Sequence, residues 1–248
     1  MLIYGLNAVL TLLQDSTRGV SAVTILDGSR NPRLHEAAQL ARNRQAKLRF
    51  VDRATLDRLS DGAVHQGVIA HVVSRVQPQW SDLLAQVPGN STALLLFLDG
   101  IEDPHNLGAI LRSAAAFGVT AVVQTKDRSA PLTPAAEKAA AGATNHVDLV
   151  RVTNLAHSLD ELRRLFVPIY GLVGEATTPM FDVHLTLPLA LVMGGEGHGL
   201  RRLTREKCDQ LLAIPMAGGV GSLNVSVATG VALYEVFRQQ NSGQIKKA

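Results

Sequence analysis

The chain has 248 residues, 46% of them hydrophobic, which is enough to bury a packed core in one large domain or two smaller ones. Its single cysteine, Cys208, excludes an intrachain disulfide framework and favours a reducing cytosol, and no apolar run approaches the roughly 20 residues that cross a bilayer. The net charge is +3, but the first 75 residues hold ten Lys and Arg against six Asp and Glu, so the basic excess lies entirely in the first third.

Residues 1–75 alternate helical and extended patterns and are predicted to form a small α/β domain. Asn31 and Pro32 match the N-cap and the first position of a helix. In chain order we predict a helix over NAVLTLLQD, a strand over VSAVTILD, a helix over NPRLHEAAQLARNRQ, a strand over KLRFVD, a short helix over ATLDRLS and a strand over GVIAHVV. The basic excess of this domain has two interpretations that charge alone leaves open, a surface for a polyanion or a solvated helix face.

Residues 76–92 contain Pro78, Pro88 and Gly89 and are predicted to be a linker with one or two helical turns. A second domain is predicted over residues 93–248, where short apolar strands alternate with helices, a pattern typical of a mostly parallel sheet covered on both faces. The predicted strands are ALLLFLD, TAVVQT, HVDLV, PIYGLV, LALVMG and LLAIPM; the predicted helices are LGAILRSAAAF, PAAEKAAAG, NLAHSLDELRRLF, RRLTREKCD and NVSVATGVALYEVFRQQ.

A first polar cluster follows the strand ALLLFLD, and it has neither the G-x-G-x-x-G of dinucleotide sites nor the G-x-x-x-x-G-K-[ST] of P-loops. Asn106 is predicted to cap a helix that begins near Leu107, and Gly118 to end it. Arg112 lies off the apolar stripe of this helix among small residues, so its guanidinium has room to reach a phosphate or a carboxylate. The competing interpretation is a surface arginine beside a capping asparagine.

A second cluster, LVMGGEGHGL, places four glycines within six residues directly after a buried strand, with Glu196 in the middle. So many glycines indicate a loop that needs unusual backbone angles or a close approach of the backbone to a ligand. We therefore interpret this segment as a ligand-binding loop.

A third cluster, IPMAGGVGSLNVSVATGVALYE, ends a strand at Pro215 and begins a helix near Ser222 and Asn224. The helix is rich in Val, Ser, Ala, Thr and Gly, which are poor intrinsic helix formers, so packing on more than one side has to stabilise it. All three clusters follow the carboxyl ends of predicted strands, and in a parallel sheet such segments converge on one crevice.

The segments N-L-G-A-I-L-R, LVMGGEGHGL and IPMAGGVGSLNVSVATGVALYE occur in this order over roughly 140 residues. Together they resemble the three motifs of the SpoU (TrmH-type) RNA 2′-O-ribose methyltransferases of the SPOUT superfamily. The N-terminal YGLNAV and HQGVIAHV resemble the substrate-binding domain of a bacterial subgroup that methylates a guanosine of 23S rRNA.

The resemblance implies an α/β fold with a small N-terminal RNA-binding domain and a C-terminal SPOUT (α/β knot) methyltransferase domain that contains a trefoil knot. It also implies a cytoplasmic homodimer with its site at the interface, S-adenosylmethionine as methyl donor without a metal, and no membrane. The implied partner is 23S rRNA or a ribosome assembly particle. By motif match, the catalytic or phosphate-positioning places fall on Asn106, Arg112, Glu196, Ser222 and Asn224, and the cofactor contacts on Gly194, Ile214 and Leu223.

The expected chemistry needs a group that stabilises the 2′-oxygen as it loses its proton. Arginine stays protonated in proteins, which favours Arg112 as an electrostatic clamp on that oxygen and the adjacent phosphate, whereas the family is often described with this arginine as the base. At 4% aromatic residues, the chain lacks abundant stacking platforms, so recognition of a folded RNA by shape and phosphates is expected. The alternatives are a tRNA 2′-O-methyltransferase, a non-catalytic RNA-binding or ribosome-assembly protein, and a small-molecule α/β enzyme.

Overall fold

The chain divides into two units, residues 1–76 and 77–248, in a computed structural model that describes residues 2–15, 19–72, 77–195, 197, 199–218 and 221–241. The first unit contains a four-stranded sheet of order β1–β4–β2–β3, in which β2 and β3 are parallel and the other pairs antiparallel. Its elements are β1 (Leu2–Tyr4), α1 (Leu6–Gln14), β2 (Val20–Leu26), α2 (Pro32–Asn43), β3 (Lys47–Val51), α3 (Arg53–Leu59) and β4 (Val68–Val72).

The core of the first unit forms where α1 and α2 cover one face of this sheet, because alternate strand residues such as Val23 and Ile25 point toward the helices. Asn31 caps α2 as predicted, since its side chain accepts a hydrogen bond from the Arg33 N–H at 3.0 Å. Every predicted element of this unit is present. The sequence prediction missed β1, whose three residues are too few to show an alternating pattern.

The second unit is built on a six-stranded sheet of order β10–β8–β9–β5–β6–β7, and all of its strand pairs are parallel, whereas the sequence predicted a mostly parallel sheet. Its strands are β5 (Leu94–Asp99), β6 (Ala121–Thr125), β7 (Asp148–Val152), β8 (Ile169–Leu172), β9 (Leu189–Gly194) and β10 (Gln210–Leu212). Its helices are α4 (Trp80–Gln86), α5 (Pro104–Ala116), α6 (Pro134–Ala140), α7 (Leu155–Arg163), α8 (Arg202–Lys207) and α9 (Val225–Asn241).

The central strand β5 shows why these short runs are so apolar, because all six of its residues are buried. Leu96 and Leu98 enter one hydrophobic cluster, whereas Leu95 and Phe97 enter another on the opposite face of the sheet. Helices on both faces therefore cover the sheet, and the strands read as continuous hydrophobic segments. No described helix has the length and apolar composition that spanning a membrane requires.

The segment predicted as a linker contains α4, which packs within the second unit. The Trp80 ring meets Phe97 edge to face at a centroid distance of 5.8 Å, and its indole N–H donates to the Glu161 carboxylate at 2.7 Å. Leu83 and Val87 are buried in the hydrophobic cluster that also contains Phe97. The prolines that suggested a spacer lie on either side of this helix rather than within it.

The direction in which the chain adds strands to the sheet changes next to β5. From β5 the chain builds β6 and β7 on one side, and β8, β9 and β10 then lie on the other, with β9 directly beside β5. The loops that leave neighbouring strands β5 and β9 turn in opposite directions, which opens a crevice at the carboxyl edge of the sheet.

Candidate active site

Helix α5 begins one turn earlier than the sequence suggested, and Asn106 is not its cap. Asp103 caps the helix by accepting the His105 N–H at 2.9 Å, and Pro104 occupies the first helical position, where its missing N–H costs nothing. Asn106 lies inside the first turn and is buried. The predicted capping role was therefore wrong, and the buried amide is available for another contact.

That contact joins two predicted site residues that are 118 positions apart in the sequence. The Asn224 side-chain N–H donates to Asn106 Oδ1 at 3.0 Å. Asn224 Oδ1 in turn accepts the backbone N–H of Ser226 at 2.9 Å, so Asn224 caps α9 as predicted. Through Asn224, the start of α9 is tied to the first turn of α5.

A cleft of about 650 Å³ opens at the carboxyl ends of β8, β9 and β10, and we call it the first cleft. Five of the residues predicted from the motifs line it, namely Gly194, Ile214, Ser222, Leu223 and Asn224. Leu223 keeps 39% of its surface exposed there, although it is apolar. The second and third motifs thus meet in one place, as the convergence argument predicted.

Glycines allow the loop after β9 to fold tightly against its surroundings. A Cβ on Gly194 would lie 2.2 Å from the carbonyl carbon of Gly199, and one on Gly195 would lie 2.2 Å from the carbonyl oxygen of Gly100. No side chain fits at either position without moving backbone. Glu196, which the resemblance assigns to the catalytic set, lies outside the described residues.

A second cleft of about 420 Å³ adjoins the first, and both share Gly195, Gly199 and Val225 in their walls. Asn106 lines this second cleft, so the Asn106–Asn224 hydrogen bond links the walls of the two clefts. The remaining lining residues are Asp99, Gly100, Ile101, Glu102, Asp103 and Arg201.

The sequence analysis did not predict an ion pair that lies in the second cleft. Asp99, the last residue of β5, has a side chain only 1% exposed, and Arg201 Nη1 lies 3.2 Å from its Oδ1. The Arg201 backbone N–H also donates to Asp99 Oδ2 at 2.9 Å. The one signal in the sequence was a carboxylate that ends an otherwise apolar buried strand, whereas its partner is 102 residues away.

A second ion pair lies in the wall of the first cleft, where Arg205 Nη1 contacts Glu175 Oε1 at 2.6 Å. The pKa of the Glu175 carboxyl lies below its ordinary value, because its own backbone N–H and the Arg205 guanidinium both donate hydrogen bonds to the carboxylate. Glu175 follows β8 in a loop without any motif, so the sequence gave no reason to select it.

Arg112 is not among the described residues that line either cleft. It is exposed and lies in a shallow groove between α5 and α9, beside Ala109, Ser226, Val227 and Gly230. The motif glycine of the same helix, Gly108, has a packing role, because a Cβ there would lie 2.4 Å from the Ala136 carbonyl oxygen of α6. Within one chain, the structure therefore places Arg112 apart from Asn106, Gly194, Ile214 and the other predicted site residues that are described.

No group of three or more His, Cys, Asp or Glu side chains in the described ranges is placed to hold a metal ion. Burial raises the pKa of the Cys208 thiol to about 12, so this thiol stays protonated at neutral pH. The polar groups that the clefts offer for chemistry are amides, hydroxyls, carboxylates and guanidinium groups.

The sequence and the fold both match known proteins. Residues 93–234 match the SpoU rRNA Methylase family, and residues 2–78 match the RNA 2'-O ribose methyltransferase substrate binding family. The chain is 49% identical over 239 residues to the 23S rRNA (guanosine-2'-O-)-methyltransferase RlmB of Haemophilus influenzae, covering 96% of this chain and 97% of that protein. It is 48% identical over 240 residues to RlmB of Escherichia coli K12, with 97% and 99% covered.

Among solved structures, the SpoU methyltransferase AviRb from Streptomyces viridochromogenes in complex with AdoMet has a similar fold. It gives a TM-score of 0.75 at 25% identity and covers 98% of this chain and 91% of that one. The family match extends over more than half of the chain, and the high identity to RlmB proteins extends over nearly all of it. The chain therefore belongs to the SpoU rRNA methylase family.

Proposed function

We propose that this chain transfers the methyl group of S-adenosylmethionine to the ribose 2′-hydroxyl of a guanosine in 23S rRNA. The observation that carries the proposal is the hydrogen bond from Asn224 to Asn106, which joins the third motif to the first where two clefts share a wall. One cleft is suited to a methyl donor and the other to an acceptor. The near full-length similarity to proteins named 23S rRNA (guanosine-2'-O-)-methyltransferase supports this choice of substrate.

The residues of the first cleft fit S-adenosylmethionine. Leu172, Met193 and Ile214 supply apolar side chains for its adenine and methionine portions, and the bare backbone at Gly194 allows a close approach of the ligand. The similar fold of AviRb, which was solved with AdoMet, supports the same assignment. We assign Gly194, Ile214 and Leu223 to cofactor contact.

When bound, the cofactor supplies an electrophilic methyl group on a positively charged sulfur, so the protein has to align and stabilise the attacking oxygen. The amides of Asn106 and Asn224 hold each other in fixed orientations at the junction of the clefts, and we assign them, with the hydroxyl of Ser222, to positioning the acceptor ribose. The guanidinium of Arg112 stabilises the developing negative charge on the 2′-oxygen. The proton then leaves late, to water or to a phosphate. We keep Glu196 in the catalytic set on the motif match alone.

Arg112 can act in this way only if a second chain brings it to a cleft, and we therefore propose a homodimer. The face around it, which we call the α5–α9 face, exposes Val227, Val231 and Tyr234 along one side of α9. Their spacing of four and three residues forms a continuous apolar stripe, which is unusual on a surface that only meets water. Pairing two copies through this face would bury the stripe and bring Arg112 of one copy to the site of the other.

The first unit completes the proposal as the RNA-binding part. Seven of the eight Lys and Arg side chains that are described in it are exposed, which suits contacts to phosphates. We also propose that the last part of the second unit forms a trefoil knot, and that the protein works in the cytoplasm on rRNA or an assembly particle. The tight loop at Gly194 and the return of α9 onto α5 are compatible with a knotted path.

The test is incubation with labelled S-adenosylmethionine and 23S rRNA that lacks its 2′-O-methyl groups, followed by mapping of the modified nucleotide. We expect one labelled guanosine, and no label on fully methylated rRNA. Labelling of tRNA instead would establish the alternative substrate, whereas tight rRNA binding without transfer to naked rRNA or to assembly particles would identify a non-catalytic protein. Comparing naked rRNA with assembly particles also shows which of them is the better acceptor.

A further inference from the structure

We infer that the second cleft reads the base of the acceptor nucleotide, and that Glu102 and Arg201 select guanine there. This inference rests on the proposed function, because it assumes that an RNA ribose is the methyl acceptor. It adds a recognition role for residues outside the three motifs.

The second cleft lies where the base of a bound acceptor nucleotide is expected. It shares Gly195, Gly199 and Val225 with the first cleft, so a nucleotide with its ribose at the junction has the second cleft directly beside it for its base. Its volume of about 420 Å³ falls within the range of small-molecule pockets and accommodates a purine. Asn106 lies in its wall and is the link to Asn224.

The polar groups of the cleft differ in whether they are already engaged. Asp103 Oδ1 accepts the His105 N–H, and Asn106 Oδ1 accepts the Asn224 amide. The Glu102 side chain is exposed and makes no hydrogen bond or ion pair within the described part of the chain. Glu102 is therefore the carboxylate of the cleft that has both oxygens open to a ligand within the described part of the chain.

Arg201 is the corresponding donor, and a buried carboxylate holds it in place. Asp99 contacts Arg201 Nη1 at 3.2 Å and accepts its backbone N–H at 2.9 Å, while 41% of the Arg201 side chain stays exposed. A Cβ on Gly100 would lie 3.2 Å from Arg201 Nη2, so the glycine leaves space for the guanidinium. A guanidinium has five N–H donors, and among the described residues its only side-chain partner is Asp99.

A free carboxylate and a fixed guanidinium together match guanine better than any other base. Guanine offers N1–H and an exocyclic amino group as adjacent donors that a carboxylate accepts, and O6 and N7 as adjacent acceptors that an arginine contacts in a bidentate manner. Adenine instead presents an unprotonated N1 and lacks the 2-amino group, so the carboxylate would face a lone pair. A site built around such hydrogen bonds rejects an analogue that leaves its polar groups unpaired.

The experiment uses the full-length protein and RNA fragments that contain the mapped acceptor nucleotide as guanosine, inosine, 7-deazaguanosine or adenosine. For the wild type, we expect kcat/KM to fall at least tenfold with inosine, which lacks the 2-amino group, and further with adenosine. Glu102→Gln should lower kcat/KM on guanosine at least tenfold and reduce the guanosine-to-inosine ratio to within about twofold. The matched control Asp182→Asn removes the same charge from an exposed side chain that lines neither cleft, and it should keep the wild-type ratios.

A second variant examines the arginine. Arg201→Lys keeps the charge but removes the planar fork, so it should lose the several-fold preference of the wild type for guanosine over 7-deazaguanosine. Calorimetry with S-adenosylhomocysteine should give an unchanged Kd for both variants, which shows that the neighbouring cleft is intact.

The outcomes separate the inference from the proposed function. A wild-type enzyme that methylates all four RNAs equally, or a Glu102→Gln variant that still discriminates inosine, overturns the inference and leaves the proposed function standing. Failure of the proposed function shows earlier and separately: if the labelling of 23S rRNA yields no methylated guanosine, both the proposed function and the inference are overturned.

Discussion

The two units of this chain differ in how their sheets place strand ends, and that difference explains where the clefts lie. In the second unit six parallel strands direct their carboxyl ends to one edge, and the glycine loop, the capping asparagine of α9 and both clefts lie there. In the first unit β4 runs antiparallel to its neighbours β1 and β2, so its carboxyl end lies at the opposite edge from those of β1, β2 and β3. That unit instead contributes exposed positive charge on its helices and edge strand. Mutations in the second unit should therefore change methyl transfer, whereas mutations in the first unit should change RNA affinity.

The largest expected effect is in the second unit, at Arg112. Arg112→Ala should lower kcat by at least two orders of magnitude, because loss of a group that stabilises charge in the transition state typically costs this much. Single-turnover methyl transfer would measure the change. Cofactor Kd should stay the same, since Arg112 lines neither cleft of its own chain.

Arg112→Lys serves as the companion variant. It retains the positive charge but lacks the planar fork, so we expect it to restore little of the activity. Turnover near the wild-type value in the alanine variant would rule out the catalytic role of this residue.

The next effect concerns the α5–α9 face, and Val231→Glu examines whether it is buried between two copies. Val231 is 41% exposed in a single chain, so the substitution should leave the fold intact while placing an unpaired carboxylate in the contact. We expect light scattering to change from a dimer to a 26.5 kDa monomer, with more than tenfold loss of methyl transfer. Val64→Glu makes the same change at a position that is 80% exposed in the first unit, and it should remain dimeric.

A wild-type protein that scatters as a monomer at micromolar concentration and still methylates RNA would contradict the dimer. The exposure of Val231 makes the variant informative, because a glutamate at a buried position would disturb the core of its own chain instead.

Removing residues 1–76 should have an intermediate effect, on RNA affinity rather than on chemistry. The fragment 77–248 keeps α4 and its contacts with Phe97, so it should fold and bind S-adenosylmethionine with unchanged Kd. Without the basic side chains of the first unit, rRNA binding should weaken about tenfold or more at physiological salt, and the dependence of log K on log salt should become shallower. Filter binding at several salt concentrations measures both, and an unchanged slope would refute the charge argument.

The sequence predicted most of the second unit because its signals are local and strong. The run LALVMG coincides with β9, Leu189–Gly194, and the alternation of such runs with helices is sufficient to infer a parallel sheet. The same reasoning predicted that the motifs would converge, because every parallel strand ends at one edge. Prediction failed where two local signals competed, as at Asp103, which forms the cap because Pro104 fixes the first helical position.

Contacts between residues that are far apart in the sequence could not be predicted, for a different reason. Nothing near Asp99 indicates that Arg201 will contact it, because that contact depends on β9 lying beside β5 and on the path of the loop that follows. The separation of Arg112 from Asn106, only six residues earlier, likewise follows from helix geometry and from the packing of α9, which composition does not reveal.

The smallest expected effect concerns two asparagines that cap helices, one in each unit. Asn31 caps α2 and Asn224 caps α9, and each accepts a backbone N–H two residues ahead, at 3.0 Å and 2.9 Å. Replacing either by alanine should lower the free energy of unfolding by about 1 kcal/mol, the usual contribution of an N-cap, as measured by urea denaturation. Only Asn224→Ala should also lower kcat, because Asn224 additionally holds Asn106 at the junction of the clefts. If Asn31→Ala lowered kcat as much as Asn224→Ala does, at the same loss of stability, the decrease in kcat would not be specific to the cap of α9. Residues outside the second unit would then contribute to catalysis.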